Sequence, residues 1–313
     1  MRAYIHLPFQ QKPAVLGKPG RDVMESIQSN TVPRNLPVDW FKDANLKILS
    51  AFWAGESELA IAVTVRGDKD RAGRENLVSH VVVSDQEHFL MDPLSSLNVL
   101  ASMYSDSQIA TPEGLLRVLG ASNSIVKDDD GWNSWIKRIR GFDQVFLKNA
   151  LGTVANRPYT YLAYSEEDRL FDLLRVIFMI IQPFMGRKCS FVSLFGTFDE
   201  PDSFVIRAFR KESNKLDLAT DELDSIKDQN ASLIDLQDEK ILENREKKKL
   251  PEVLLNELYN DPWVRLGRYE HLSILRYILQ KKAAGNEKDL HPYSEQLLET
   301  LRRLKRIDKE SMH

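Results

Sequence analysis

The sequence predicts an α+β protein with mixed or antiparallel sheets, packed helices and a helical C-terminal region. Two apolar, β-branched runs, 59–66 and 77–84, predict neighbouring strands, because such residues favour a pleated and half-buried surface. The run 46–54 precedes them across a short polar connection and predicts the first strand of a hairpin. Beyond residue 251, leucines recur at three- and four-residue steps, the spacing of amphipathic helices.

The chain of 313 residues exceeds the usual size of one domain, so we expect more than one unit. Composition shifts divide it into an N-terminal α+β domain over 1–108, a second α+β domain over 109–245, and a helical region over 251–313. The second domain ends in a charged excursion, 210–249, which has few aromatic residues and predicts flexible or loosely helical chain.

Hydrophobic periodicity and turn residues predict the remaining elements. In the first domain these are a strand over 3–9 and a helix over 22–29. In the second domain they are helices over 132–150 and 166–182 and strands over 159–164, 189–194, 203–209 and 232–236. A turn at 199–202 is expected to join the strands 189–194 and 203–209.

Composition argues against several classes of function. A net charge of −3 gives no general attraction to nucleic acid or to an anionic membrane. The single cysteine, Cys189, excludes an intramolecular disulfide and a multi-cysteine zinc site. The longest apolar run, 176–181, is too short to span a bilayer. We therefore expect a cytoplasmic protein that binds neither membranes nor nucleic acid and that carries no metal and no cofactor.

The connection between the two central strands holds the densest group of polar side chains that could carry out chemistry. The candidate ligand- or partner-binding residues are Asp70, Arg71, Gly73, Arg74, Asn76 and His80. The arginines could bind an anion, and Asp70 and His80 could exchange protons. A structural role is the alternative: Asp70 caps a turn, Arg74 bonds to carbonyl or carboxylate oxygens, and His80 is a hydrogen-bonded residue of a sheet.

Ser79 and His80 do not form a predicted nucleophile and base. Adjacent residues of a strand point to opposite faces of its sheet, so the two side chains are expected to lie apart. The chain also lacks a phosphate-binding GxxxxGK[ST] loop, a dinucleotide-binding GxGxxG loop, and the HExxH and GxSxG motifs. We therefore predict no catalytic residues and no NTPase activity of the chain on its own.

A pattern within this cluster resembles a known family. It runs Asp70-x-x-Gly73-Arg74-x-Asn76-x-x-Ser79-His80 and is followed by three valines, as in the N-terminal domain of the bacterial GTPase-associated proteins. A second similarity, to the middle domain of that family, joins an apolar helix that begins near Phe171 and ends at Gln182-Pro183 to a strand with the step Ser190-Phe191.

The resemblance implies a non-catalytic interaction or regulatory protein, the companion of a GTPase or other NTPase in a microbial conflict or signalling system. It supplies no catalytic residues. The residues themselves leave a second hypothesis open, a hydrolase or binding protein for a phosphorylated molecule that uses Arg71, Arg74 and His80. This second hypothesis requires those three side chains to converge.

Overall fold

The computed structural model describes residues 2–7, 14–16, 20–31, 47–54, 58–69, 75–85, 137–178, 189–194, 204–211, 224, 226 and 230–242. They contain helices and a mixed sheet, which confirms the α+β class. The predicted helical region 251–313 lies outside the described residues.

The elements follow one another along the chain in this order. The strands are β1 Arg2–Leu7, β2 Ala14–Leu16, β3 Ile48–Trp53, β4 Glu58–Lys69, β5 Glu75–Asp85, β6 Thr160–Tyr164, β7 Phe191–Val192, β8 Ile206–Arg210, β9 Ser232–Asp235 and β10 Lys240–Leu242. The helices are α1 Arg21–Asn30, α2 Gln144–Asn156 and α3 Glu167–Val176.

The strands described form one ten-stranded sheet, in the order β10-β9-β6-β8-β7-β3-β4-β5-β1-β2. The strands β9, β6, β8 and β7 run parallel to one another. Every other neighbouring pair is antiparallel, including β7 with β3. The sheet therefore has a parallel part and an antiparallel part that meet where β7 pairs with β3.

Helices cover both faces of the sheet. One apolar core contains residues of α2 and α3 together with side chains of the sheet such as Ile61, Leu162 and Ile206. The other core contains Val23 and Ile27 of α1, packed with alternate residues of the same strands, such as Ala62. Because successive residues of β4 alternate between the two cores, its segment from Leu59 to Val63 is apolar throughout, as expected where a strand is buried on both faces.

The sheet is continuous across the predicted domain boundary at residue 108, which itself lies outside the described residues. Strand β3 of the first predicted domain pairs with β7 of the second, Ser50 opposite Val192 and Ala51 opposite Phe191. Trp53 reinforces this junction, since its indole Nε1–H donates to the Cys189 carbonyl oxygen at 2.9 Å. The described strands of the two predicted domains thus share one hydrogen-bonded sheet.

The predicted helix 132–150 is wrong in its extent. A short helical turn at 137–139 is followed by a break, and α2 then continues to Asn156. Two residues make the break. At Gly141 a Cβ atom would lie only 3.0 Å from the Arg138 carbonyl oxygen, and Asp143 caps the new helix by accepting the Phe146 N–H at 2.8 Å.

Elsewhere the structure differs from the predictions in the direction of a strand pair, and it contains strands that were not predicted. The strands predicted at 189–194 and 203–209 exist as β7 and β8, but they are parallel, so a simple turn at 199–202 cannot join them as a hairpin. Strand β10 lies in the segment predicted to be a flexible excursion, where it forms a hairpin with β9. Strand β2 is not among the predicted elements, and it pairs with β1.

Candidate functional site

The predicted cluster lies at the connection between β4 and β5. Asp70, Arg71, Gly73 and Arg74 fall outside the described residues, and Asn76 belongs to β5. Among the candidates, the structure describes the surroundings of the His80 side chain. The convergence of Arg71, Arg74 and His80 therefore stays a prediction.

His80 lies on β5, between β4 and β1 in the sheet, and is 4% exposed. Its cross-strand neighbours are Val63 of β4 and Ile5 of β1. Val82, the next residue on the same face of β5, belongs to the core that contains α2 and α3. Burial disfavours the imidazolium ion and lowers the pKa of His80 to about 4, so the side chain is neutral near pH 7.

Ser79 points to the opposite face, as predicted. Its neighbours at two-residue steps, Leu77 and Val81, belong to the core that contains α1. Its hydroxyl shares a hydrogen bond of 2.7 Å with the hydroxyl of Thr64, the residue directly opposite on β4. Ser79 and His80 thus lie on different sides of the sheet and cannot act together as nucleophile and base.

A second polar site lies at the carboxyl ends of the parallel strands, where α/β proteins commonly bind ligands. The connections that leave β6 and β8 pass to opposite faces of the sheet, because α3 packs in one core and Ile226 in the other. Such a divergence is the arrangement that opens a crevice between adjacent strands. In this chain Lys211 and Asp235 occupy the edge.

Lys211 and Asp235 form a buried ion pair. Lys211 Nζ lies 2.6 Å from Asp235 Oδ2 and 3.9 Å from a carboxylate oxygen of Asp238, and the side chains of the pair are each 2% exposed. Asp235 Oδ1 accepts the backbone N–H groups of Gln237 at 3.0 Å and Asp238 at 3.2 Å. Both carboxylate oxygens of Asp235 are therefore engaged in holding the β9–β10 turn to the end of β8.

A third charged group ties α3 to the turn before α2. Arg138 donates two hydrogen bonds to Asp172 at 2.8 and 3.1 Å, and Arg175 lies 3.7 Å from the same carboxylate. Burial raises the pKa of Asp172, against the opposing effect of Arg138. The hydrogen bond to Asp172 raises the pKa of Arg138 in turn. This arrangement positions two elements of secondary structure.

Arg207 of β8 is fully buried in the core that contains α1. It donates to the Tyr161 hydroxyl at 2.8 Å and to the Phe204 carbonyl oxygen at 3.1 Å. Its guanidinium carbon lies 4.4 Å from the ring centroid of Tyr159, a cation–π distance. The contacts join neighbouring strands β6 and β8 through their side chains.

Lys211, Asp235 and Arg207 were all missed as polar residues of the interior. Lys211 and Asp235 lie in a charge-rich segment, in which burial of a single charged pair has no periodic signal. One local signal was present. Asp235 follows the largely apolar segment 231–234, and after Leu236 the chain becomes polar; at such a position an aspartate commonly accepts the backbone N–H groups of its own turn.

In the part of the chain that the structure describes, no group of three or more His, Cys, Asp or Glu side chains is placed to hold a metal ion. None of the helices described is both long enough and apolar enough to cross a membrane. Comparison with known proteins adds no assignment, since no protein-family model matches the chain and no curated protein matches its sequence.

Proposed function

We propose that the protein is a non-catalytic interaction module, the companion of a GTPase or other NTPase in a microbial conflict or signalling system. One observation carries most weight. Ser79 and His80, a serine and a histidine that are adjacent in the sequence, are both buried and point to opposite faces of β5. A hydrolytic site in this stretch would have to use other groups.

The buried charged side chains support the same proposal, because they are already bonded to other groups of the protein. Asp235 is bonded to Lys211 and to its own turn, and Asp172 is bonded to Arg138. Carboxylates that accept several protein hydrogen bonds hold elements together and are poorly placed to accept a substrate proton. The absence of a phosphate-binding loop from the sequence fits a chain that relies on a partner for nucleotide chemistry.

The partner contact is assigned to the connection between β4 and β5, which carries Arg71 and Arg74. Arginine is enriched in protein interfaces, where its planar guanidinium pairs with carboxylates. An acidic surface of the NTPase would meet these two side chains. The resemblance to the GTPase-associated family rests partly on the same connection, so the proposal assigns it the recognition of the partner.

Co-purification of the full chain with a GTPase or other NTPase encoded in the same gene cluster tests this proposal. We expect the wild-type chain to retain the NTPase and the double variant R71E/R74E to lose it. Arg21→Glu is the matched control, because Arg21 is an exposed arginine on α1 that pairs with Glu25, one helical turn away. The control variant is expected to retain the partner as well as wild type does.

The alternative hypothesis predicts a different result. A protein that binds or hydrolyses a phosphorylated molecule through Arg71, Arg74 and His80 would retain no NTPase, and the double variant R71E/R74E would lose phosphate-ester binding or hydrolysis. Equal loss of the NTPase in R21E and R71E/R74E would also count against the assigned surface, because it would indicate a nonspecific charge effect.

A further inference from the structure

We infer that Glu239 is a latch that fastens the β9–β10 turn over the carboxyl ends of the parallel strands. Glu239 has a backbone φ of 51°, in the left-handed region. Among the described residues, the other non-glycine residue with positive φ is Asn230, a residue type that tolerates this conformation. Glutamate does not share that tolerance, so its presence calls for a compensating contact of its side chain.

The carboxylate of Glu239 makes two such contacts, one to each helix of the adjacent layer. Its Oε2 accepts the backbone N–H of Asp143, the N-cap residue of α2, at 2.9 Å. Its Oε1 is hydrogen-bonded to the guanidinium of Arg169 on α3. Arg169 is held from another side by the ring of Phe142, whose centroid lies 4.6 Å from the guanidinium carbon.

The turn held in this way covers the edge of the sheet. The backbone N–H of Leu236 donates to the Ala163 carbonyl oxygen at 3.0 Å, at the end of β6. Asp235, which begins the turn, pairs with Lys211 at the end of β8. Fastened by Glu239, the turn keeps water from this ion pair. If the turn were released from the helices, it would expose the carboxyl ends of the parallel strands, where α/β proteins commonly bind ligands.

The β9–β10 turn opens as a local unit. Strand β10 has three residues, and Lys240 and Leu242 are exposed. Short, exposed elements at the border of a sheet open at a lower free energy than the central strands. The contacts of Glu239 would then set how often the turn opens, without setting the stability of β3, β4 and β5.

Hydrogen exchange of the full-length chain tests the latch. We expect Glu239→Gln to speed amide exchange of Gln237, Asp238 and Asp143 by roughly tenfold or more, since a bond to a charged group is replaced by a neutral one. Exchange in β3, β4 and β5 should stay at the wild-type rate. Lys240→Gln is the matched control, because Lys240 is exposed on the same hairpin and lies 3.7 Å from Asp238.

The wild-type chain supplies a second measurement if the variant fails to fold. Raising the ionic strength to ~1 M, where the Debye length falls to about 3 Å, should speed exchange of the same three amides. Two results would overturn the inference: wild-type exchange rates in E239Q, or an equal acceleration in the turn and in β3, β4 and β5. The second result would mean that Glu239 contributes to global stability and does not control a local opening.

Discussion

The imidazole of His80 lies on the face of β5 that packs against the core containing α2 and α3, where burial favours its neutral form. Its pKa is lowered from 6.5 to about 4. The unfolded chain therefore binds a proton at this residue as the pH falls below 6.5, while the folded chain does not. The contribution of His80 to stability is complete above pH 6.5 and is lost as the pH falls toward 4, at about 1.4 kcal/mol per pH unit.

Nuclear magnetic resonance titration measures this directly. The His80 ring signals of the folded chain should stay in the neutral form down to pH 5, whereas the same residue in the urea-unfolded chain should titrate near its ordinary value. A midpoint near 6.5 in the folded chain would show that water reaches the ring, and it would reopen an acid–base role for His80.

The Lys211–Asp235 pair makes the second prediction at the scale of residues. Lys211→Met should lower the free energy of unfolding by about 3–5 kcal/mol, because it leaves a buried carboxylate without its cation. Urea denaturation at neutral pH measures the change. Lys240→Met is the control, since Lys240 forms an exposed ion pair and its loss should cost less than about 1 kcal/mol.

Equal stability of the two variants would contradict the burial of the pair. If the Lys211→Met chain were as stable as wild type but had lost a binding activity, the ion pair would have a functional and not a structural role. The denaturation curve measures the change in stability, and one binding assay measures the change in function, so the two results can be told apart.

Residue types predicted some of these environments and missed others. The opposite orientations of Ser79 and His80 followed from strand alternation alone, because adjacent residues of a strand must point to opposite faces. The burial of Lys211 and Asp235 did not, because it depends on strands β8 and β9, which are separated by more than twenty residues in the chain and by β6 in the sheet. Local composition carries no record of such a contact.

At the scale of elements, Asp143 shows how a single side chain sets where a helix begins. It accepts the Phe146 N–H and so satisfies one of the free donors of the first turn of α2. Asp143→Ala should lower the free energy of unfolding by about 1 kcal/mol, whereas Asp143→Asn, which retains a side-chain acceptor, should stay close to wild type. Thermal or urea unfolding of the two variants measures the difference.

An alanine variant as stable as the asparagine variant would contradict the capping role. The start of α2 would then depend on its packing alone. Because the Glu239 contact uses the backbone N–H of Asp143, both substitutions leave that donor in place, and the comparison isolates the side-chain cap.

The elements also show where periodicity stops being informative. The apolar parts of strands β3, β4 and β5 were predicted, because their β-branched runs are long. The polar ends were missed, since β4 continues to Lys69 and β5 begins at Glu75. The break before α2 was missed, because the apolar spacing of Ile139, Phe142 and Phe146 continues through it. The parallel pairing of β7 with β8 was missed for another reason: pairing direction is set by the path of the connection and not by the strand residues.

At the scale of the whole molecule, strands from both predicted domains lie in one sheet. Leu49 N–H donates to the Ser193 hydroxyl at 2.9 Å, and Ser193 N–H donates to the Leu49 carbonyl oxygen at 2.8 Å. These bonds join residues that are 144 positions apart. Their existence could not be predicted from composition shifts, which report differences between segments and not the contacts that join them.

The proposed interaction with an NTPase belongs to this scale as well, because it concerns the chain as one partner of a complex. Calorimetric titration of the purified full-length chain with a GTPase or other NTPase encoded in the same gene cluster measures it most directly. We predict saturable binding that the R71E/R74E substitutions abolish and R21E leaves intact, with no nucleotide hydrolysis by the chain alone. Absence of binding, or hydrolysis of a phosphorylated substrate by the isolated chain, would contradict the proposal.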